Sequence, residues 1–453
     1  MSTTIEKAVH QTNGDLLSPE IVESLIRDRH EPSWLQDFRR KSLEIAVELP
    51  LPDRRDEVWR RTDIRGFNWK NYSYQFSVPE AVKDLKYFPD SLWKFAKLEN
   101  CPVDGFLITL DGRYYFQWLK PDLERNGVLF MPLHQAVEQH SDLIHEYFMK
   151  EGVLPEENIF TAVHGALWTG GFFLYVPPKV ELSLPLHIVN AASKPDLADL
   201  SHILVIAGEQ SRVTLLHNEI SINETAGGFH DGAVEIFIQR GANVNYIQVQ
   251  NWDDKRWNFS SQKARLYGDS QLAWVSVALG SKLSKVHQIL DLVKPCSHGE
   301  MLGIEFLHSN QHIDYYTQQN HLAPHTTSNL LYHGALTGNS RSVWRGNIRV
   351  FPGAQRTDGY QANHNLLLNP EARADSIPGL EIEADDVRCT HGSTTGNIED
   401  EYLFYLMSRG LPKKKAEELI IAGFFEPVLQ KVTNSAIQEI LREAIEKEIE
   451  RRV

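Results

Sequence analysis

The sequence predicts a mainly β fold, a solenoid of the β-helix type with helical regions at both ends of the chain. Between about residues 160 and 395, helical periodicity is almost absent and short β-rich runs alternate with Gly, Asn or Asp turns. The turn glycines Gly208, Gly241 and Gly268 recur at loose intervals. Such repetition favours stacked strand-and-turn units that cover each other's faces. Periodicity alone leaves a β-sandwich or a propeller open.

The chain is therefore divided into three regions: residues 1–155, helical with a short β-hairpin; residues 156–396, the β core; and residues 397–453, helical. In the first region, Ser18-Pro19 is typical of a helix start, with Pro at the first helical position. Two alternating runs joined through Asp111-Gly112 predict the hairpin.

The last region again shows helical spacing. Asn397 is expected to cap its first helix. The final helix has an apolar face, with i,i+4 ion pairs such as Glu443–Lys447 on the opposite face. A terminal amphipathic helix of this kind either docks on its own domain or offers its apolar face to another protein.

Charge and cysteine content exclude several classes of protein. Lys and Arg number 46 against 60 Asp and Glu, a net charge of −14, so nucleic acid and anionic membranes are not expected partners. Three separated cysteines (Cys101, Cys296 and Cys389) exclude a disulfide framework and a four-thiolate metal site within one chain. The segment Met1–Asp15 lacks the pattern of a targeting peptide, and we expect a cytoplasmic protein.

Motifs for nucleotide chemistry and for nucleophilic catalysis are missing. Neither a Walker A sequence nor G-x-G-x-x-G after a strand occurs, and G-x-S-x-G is also absent. We therefore expect that this chain binds no nucleotide and does not hydrolyse ATP itself.

The most suggestive chemistry lies at Cys389 and His391. If this segment is a strand, the two side chains project from the same face. A thiolate and an imidazole are ligands that iron, copper and zinc prefer. Two ligands do not close a site, however, and a buried Cys beside a structural His is the local alternative. The metal interpretation requires that another chain supply further ligands.

Several long segments over about residues 320–430 resemble the core of the SufB/SufD iron–sulfur cluster assembly scaffolds. They are Tyr332–Gly334, Asn339–Gly346, Ala354–Gln361, Glu381–Val387, Cys389–Gly392 and Leu403–Gly410. The resemblance implies a right-handed parallel β-helix core with helical ends. Because the segments are ordered and nearly contiguous, chance is a poor explanation for the match.

Within that family the chain is more similar to SufD than to SufB. SufB members carry Cys-Asp-Ser where this sequence has Asn363-His364-Asn365, and Glu-His-Glu where it has Glu381-Ile382-Glu383. Residues Ala384–Gly392 have the SufD-like form. The resemblance places a cluster-assembly histidine at His391 and a second thiol at Cys389. It therefore implies a transient iron–sulfur cluster shared with a SufB-like chain, to which His391 is the candidate metal ligand.

The resemblance also implies partners: a SufB-like paralogue bound through the β-helix, and a SufC-like ABC ATPase bound through the C-terminal helices. A homodimer is left open for the isolated chain. The residues expected to dock the ATPase are Leu403, Phe404, Leu419, Ile420 and Phe424. Two other functions remain: a carbohydrate-active β-helix enzyme using Asp385 and Asp386, and a purely structural ATPase-binding protein.

Overall fold

The computed structural model describes residues 11–12, 17–75, 102–223 and 227–452. Cys101 and most of the Met1–Asp15 segment lie outside these residues. Within them, two short strands, β1 (Gln11–Thr12) and β2 (Tyr74–Gln75), pair with each other. All other described strands belong to two large sheets.

The two sheets build a parallel β-solenoid. From one edge to the other, the first sheet contains β5 (Leu129–Pro132), β6 (Gly170–Val176), β8 (Ala198–Ala207), β10 (Phe229–Ile238), β12 (Trp257–Leu266), β14 (Leu283–Leu292), β16 (His312–His321), β18 (Arg341–Val350) and β20 (Arg373–Ile382). The second contains β4 (Arg113–Leu119), β3 (Gly105–Leu110), β7 (Leu186–Ala192), β9 (Arg212–Ser221), β11 (Asn243–Asn251), β13 (Gln271–Ala278), β15 (His298–Leu307), β17 (Thr327–Leu336), β19 (Thr357–Leu367) and β21 (Val387–Asn397). The chain alternates between the sheets, so each turn of the solenoid adds one strand to each.

The mainly β solenoid predicted from the strand-and-turn repeats is confirmed. Its period is loose because the turns differ in length. Trp257 lies opposite Leu283, a spacing of 26 residues, whereas Arg341 lies opposite Arg373, a spacing of 32. The inward side chains of both sheets form one continuous core between them.

Helices cover the outer faces of both sheets. In the described residues they are α1 (Pro19–Arg29), α2 (Ser33–Glu48), α3 (Pro121–Arg125), α4 (Leu133–Gln139), α5 (Ser141–Tyr147), α6 (Ile159–Leu167), α7 (Asp400–Ser408), α8 (Lys413–Leu429) and α9 (Ser435–Arg452). Helices α1, α2, α4, α5 and α6 pack on the first sheet. Helices α8 and α9 pack on the second sheet.

The predicted hairpin is present as β3 and β4. Two other local expectations differ from the structure. The sequence predicts the β core from residue 156 onward, but Ile159–Leu167 forms α6. Every residue of α6 is buried, so its sequence has no polar face and lacks the amphipathic pattern of a surface helix. Asn397 ends β21 instead of capping a helix, and α7 begins at Asp400.

A chain of buried polar groups fastens the N-terminal helical layer to the solenoid. His164 Nε2 of α6 lies 3.1 Å from His202 Nδ1, and His202 Nε2 lies 3.0 Å from Glu235 Oε2. Burial lowers the pKa of His202 to about 3 and raises that of Glu235 to about 8, so neutral Glu235 donates its proton to His202. Its carboxyl oxygens also accept the backbone N–H groups of Met149 and Val153 at 2.9 and 3.0 Å.

Candidate functional site at the open end of the solenoid

The solenoid stops at β20 and β21 without a further strand. β20 pairs with β18 and β21 pairs with β19, and no described strand pairs with the outer edge of either. Neither strand contains a fully buried residue. The backbone N–H and C=O groups along such an edge can extend the sheet by pairing with another chain.

Cys389 and His391 both face the interior side of β21, consistent with their i,i+2 spacing. Cys389 lies opposite Gly359 of β19, and His391 lies opposite Gln361. A Cβ atom at Gly359 would lie 3.2 Å from Cys389 Sγ and 3.2 Å from Ile348, which belongs to the facing sheet. Since alternate residues share a face, His391 and Gln361 lie on this interior side as well.

Cys389 lies in a small apolar cluster at the open end. It packs with Ile348, Leu380 and Val387 and is half-buried. Burial raises the pKa of the thiol, although a hydrogen bond from the Gly359 backbone opposes the shift. The thiolate is the metal-binding form, so Cys389 would have to lose a proton before acting as a ligand.

His391 is exposed, and none of the residues that the structure describes hydrogen-bonds its ring. Its strand neighbour Gln361 is buried and donates from Nε2 to the Gly379 carbonyl at 2.9 Å. The imidazole therefore has both nitrogens available for a ligand. Over the described ranges, no group of three or more His, Cys, Asp or Glu side chains is arranged to hold a metal ion.

The inner wall next to His391 is polar. Asn365 Nδ2 donates to Asn363 Oδ1 at 2.6 Å and to Ser376 Oγ at 3.1 Å. Asn363 and Asn365 lie opposite Ser393 and Thr395 of β21. Asn363, Asn365 and Ser376 hydrogen-bond to one another inside the last turns, whereas Asn365 Oδ1 has no hydrogen-bond partner among the described residues. Asn363 and Asn365 are not among the site residues predicted from the sequence. The signal was available, since they alternate along β19 as Gln361 does.

The five residues expected to dock the ATPase differ in exposure. Phe404 is 72% exposed and Leu419 54%, whereas Leu403 and Ile420 are half-buried. Phe424 faces the solenoid, where its ring stacks on His333 at 4.6 Å between centroids. His333 Nδ1 also donates to the Phe424 carbonyl at 2.6 Å. Phe424 therefore anchors α8 to its own solenoid.

Helix α7 buries none of its residues. Besides Phe404, its exposed apolar side chains include Tyr402 and Tyr405, which were not among the residues selected from the sequence. Large aromatic side chains exposed on one short helix indicate a binding element.

Asp385 and Asp386, the carboxylates of the rival carbohydrate-active enzyme, lie in the exposed loop between β20 and β21. Arg356 Nε lies 3.6 Å from Asp386 Oδ2. An exposed loop does not hold two carboxylates on either side of a bound sugar, so this arrangement does not favour glycoside hydrolysis.

Among the described helices, none combines the length and the apolar character required to cross a lipid bilayer.

Fold and site together define a class of protein: a parallel β-solenoid with one uncapped end that presents an imidazole and a thiol, without a complete metal site among the described residues. The chain belongs to the SufBD family of the SUF iron–sulfur cluster assembly system. Residues 187–424 match the family model described as SUF system FeS cluster assembly, SufBD core domain. Residues 22–188 match the model of the SufBD protein N-terminal region.

Curated relatives from bacteria agree with this assignment. The iron–sulfur cluster assembly protein SufD of Bacillus subtilis is 29% identical over 95% of this chain and 97% of that protein. SufB of the same organism is 27% identical over 91% of this chain and 88% of its own length. A SufBD family protein of Staphylococcus aureus (strain MRSA252) is 28% identical over 91% of this chain and 88% of its length. The similar values establish the family and do not separate its two branches.

Proposed function

We propose that this chain is a SufD-like, non-catalytic subunit that assembles iron–sulfur clusters together with a SufB-like chain and a SufC-like ABC ATPase. The observation that carries the proposal is the incomplete ligand set at the open end, where Cys389 and His391 face inward and the described residues supply no third metal ligand. The Asn363-His364-Asn365 segment supports the SufD branch, because it offers no thiol where SufB members carry one.

The SufB-like partner binds at the open end through β20 and β21. Both strands have unpaired outer edges in the described structure, and the side chain of Ile382 at the end of β20 is 43% exposed. Main-chain hydrogen bonds would provide affinity, and covering the apolar group would add to it. The same edges allow a homodimer when the chain is isolated.

The nascent cluster is cargo that the two chains share. His391 is the more accessible ligand, and Cys389 is the second candidate. A site with few ligands from each chain holds a cluster until it is passed on, whereas four thiolates from one chain would retain it.

The ATPase docks on α7 and α8, mainly through Phe404 and Leu419, with Leu403 and Ile420 at the edge of the contact. Phe424 stacks on His333 of the solenoid and so anchors α8 beneath this surface. Nucleotide binding belongs to that partner, since this sequence contains no phosphate-binding motif. Free Cys296 and Cys389 are compatible with a reducing cytoplasm.

Replacing His391 by Ala in the complete complex tests the cluster site. We expect complex assembly to be retained and cluster formation, followed by visible absorption, to fall at least about tenfold, since a ligand is lost. Thr390→Ala is the matched control, because Thr390 is exposed on the opposite face of the same strand. Normal cluster yield in His391→Ala would leave only the structural ATPase-binding function.

A further inference from the structure

A buried glycine lies between two polar side chains inside the last turns of the solenoid. Gly334 of β17 is opposite Glu305 of β15 on one side and opposite Asn365 of β19 on the other. All three positions alternate with apolar core residues of their own strands, so they face the interior. Two strand spacings, about 10 Å, separate the backbones of Glu305 and Asn365, and glycine places no side chain between them.

Each of these two polar side chains has one buried oxygen atom without a hydrogen-bond partner. Glu305 Oε2 accepts from Ser342 Oγ at 2.7 Å, and the Asn365 amide group donates to Asn363 and Ser376. Glu305 Oε1 and Asn365 Oδ1, in contrast, are bonded by none of the described residues, although both side chains are more than nine-tenths buried. Buried polar atoms that protein groups do not satisfy are commonly satisfied by ordered water.

The protonation of Glu305 makes these two atoms complementary. Burial raises the pKa of Glu305 to about 8, so its carboxyl group is neutral at neutral pH. Since Oε2 accepts from Ser342, the proton lies on Oε1, which is therefore a donor. Asn365 Oδ1 is an acceptor, yet no direct hydrogen bond joins it to Oε1.

The side of Asn365 Oδ1 that faces Gly334 is open. A Cβ atom built on Gly334 would lie 2.7 Å from Asn365 Oδ1, and the next nearest atom, Leu336 Cδ1, would be 3.6 Å away. A larger residue at position 334 would therefore close this side. A water molecule both accepts and donates hydrogen bonds, so it suits a site between a protonated carboxyl group and an amide oxygen.

We propose that an ordered water molecule lies beside Gly334, where it accepts a hydrogen bond from Glu305 Oε1 and donates one to Asn365 Oδ1. Through it the buried acid exchanges its proton: the water takes the Glu305 proton and returns one of its own, so no net charge moves. Asn365 lies opposite Thr395 of β21, which is exposed at the open end. The acid is thereby connected to the end of the solenoid that carries the candidate ligands. The inference does not depend on which partner covers that end.

The test follows deuterium exchange of the Glu305 carboxyl group by infrared spectroscopy of the full-length chain, at about pH 6, below the Glu305 pKa of about 8. The C=O band of protonated Glu305 is the band that Glu305→Gln removes. In the wild type this band should shift in D₂O at least about a hundredfold faster than global unfolding allows. Gly334→Ala occupies the space beside Asn365 Oδ1 and should slow the shift at least about tenfold.

Two further variants define the site. Gly359→Ala is the matched control, since Gly359 is also an inward glycine of the last turns but lies against Cys389 and Ile348, and it should leave the exchange rate unchanged. Asn365→Leu removes the acceptor and should slow exchange as Gly334→Ala does. Slowing in Gly334→Ala without slowing in Asn365→Leu would overturn the connection to the open end.

Two other results would contradict the proposal. Equal exchange rates in Gly334→Ala and the wild type would overturn the water site, and wild-type exchange at the rate of global unfolding would overturn the proton route. A high-resolution crystal structure of the wild type provides a test that needs no variant. Density for a water within hydrogen-bond distance of both Glu305 Oε1 and Asn365 Oδ1 is expected, and its absence would also overturn the water site.

Discussion

The two ends of the solenoid are built differently. At the N-terminal end the parallel stack stops against antiparallel strands, since β4 pairs antiparallel with β3 and β5 with β6. Phe130 of β5 is only 1% exposed there. At the C-terminal end β20 and β21 remain parallel, unpaired on their outer edges and without a buried residue. The first end is covered by antiparallel strands that contain buried residues, whereas the second ends in two parallel strands that contain none.

The largest expected effect comes from comparing a buried apolar side chain at the N-terminal end with an exposed one at the C-terminal end. Phe130→Ala should lower the free energy of unfolding by about 3–5 kcal/mol, because it leaves a cavity in the closed end. Ile382→Ala, at the open end, should change it by about 0.5 kcal/mol or less in the isolated chain. Urea unfolding of both variants measures the difference. Equal losses would show that the C-terminal end is as well packed as the N-terminal one.

The N-terminal helical layer is held on the solenoid by buried polar groups, which gives a second test at that end of the molecule. Glu235→Ala should lower the free energy of unfolding by about 3 kcal/mol, since His202 and the N–H groups of Met149 and Val153 lose a buried partner. Glu156→Ala, an exposed carboxylate nearby, is the control and should be neutral. A neutral Glu235→Ala would show that this network does not fasten the layer.

Sensitivity to alkali should arise in the buried interior and not at the open end. Ser342 Oγ donates to Glu305 Oε2 at 2.7 Å, and burial raises the pKa of this carboxyl from 4.5 to about 8. Its contribution to stability is present in full below pH 4.5 and is lost as the pH rises to about 8.

Glu305→Gln cannot ionise, so it should be more stable than the wild type by about 1–2 kcal/mol at about pH 9. Urea unfolding as a function of pH measures this, with Thr390→Ala at the open end as a control that should follow the wild-type profile. Parallel profiles for Glu305→Gln and wild type would contradict the prediction.

The smallest effect concerns the reactivity of two thiols. In a Cys101→Ser background, Cys389 should react with a maleimide several-fold more slowly than exposed Cys296, because burial raises its pKa. Binding of the SufB-like partner should slow Cys389 further and leave Cys296 unchanged. Protection of Cys296 alone would show that the partner binds elsewhere than at the open end.

Particular residues show how far sequence patterns reach. The i,i+2 spacing of Cys389 and His391 correctly indicated a shared strand face, since alternation is a local property of the backbone. Helix α6 was missed because burial on all sides removes the periodicity that marks a helix. Phe424 was grouped with the exposed docking residues, yet it stacks on His333, 91 residues earlier in the chain. Nothing in a local pattern indicates such a distant contact.

The sequence by itself determined the mainly β solenoid with helical ends, the family and the two candidate ligands, because these depend on local alternation, turn residues and ordered motifs. Only the tertiary structure decided that one end of the solenoid is covered by antiparallel strands and the other is open, that His391 is exposed while Cys389 is half-buried, and that α7 buries none of its residues. Exposure depends on which distant strands and helices cover a residue, and that covering is a property of the whole fold.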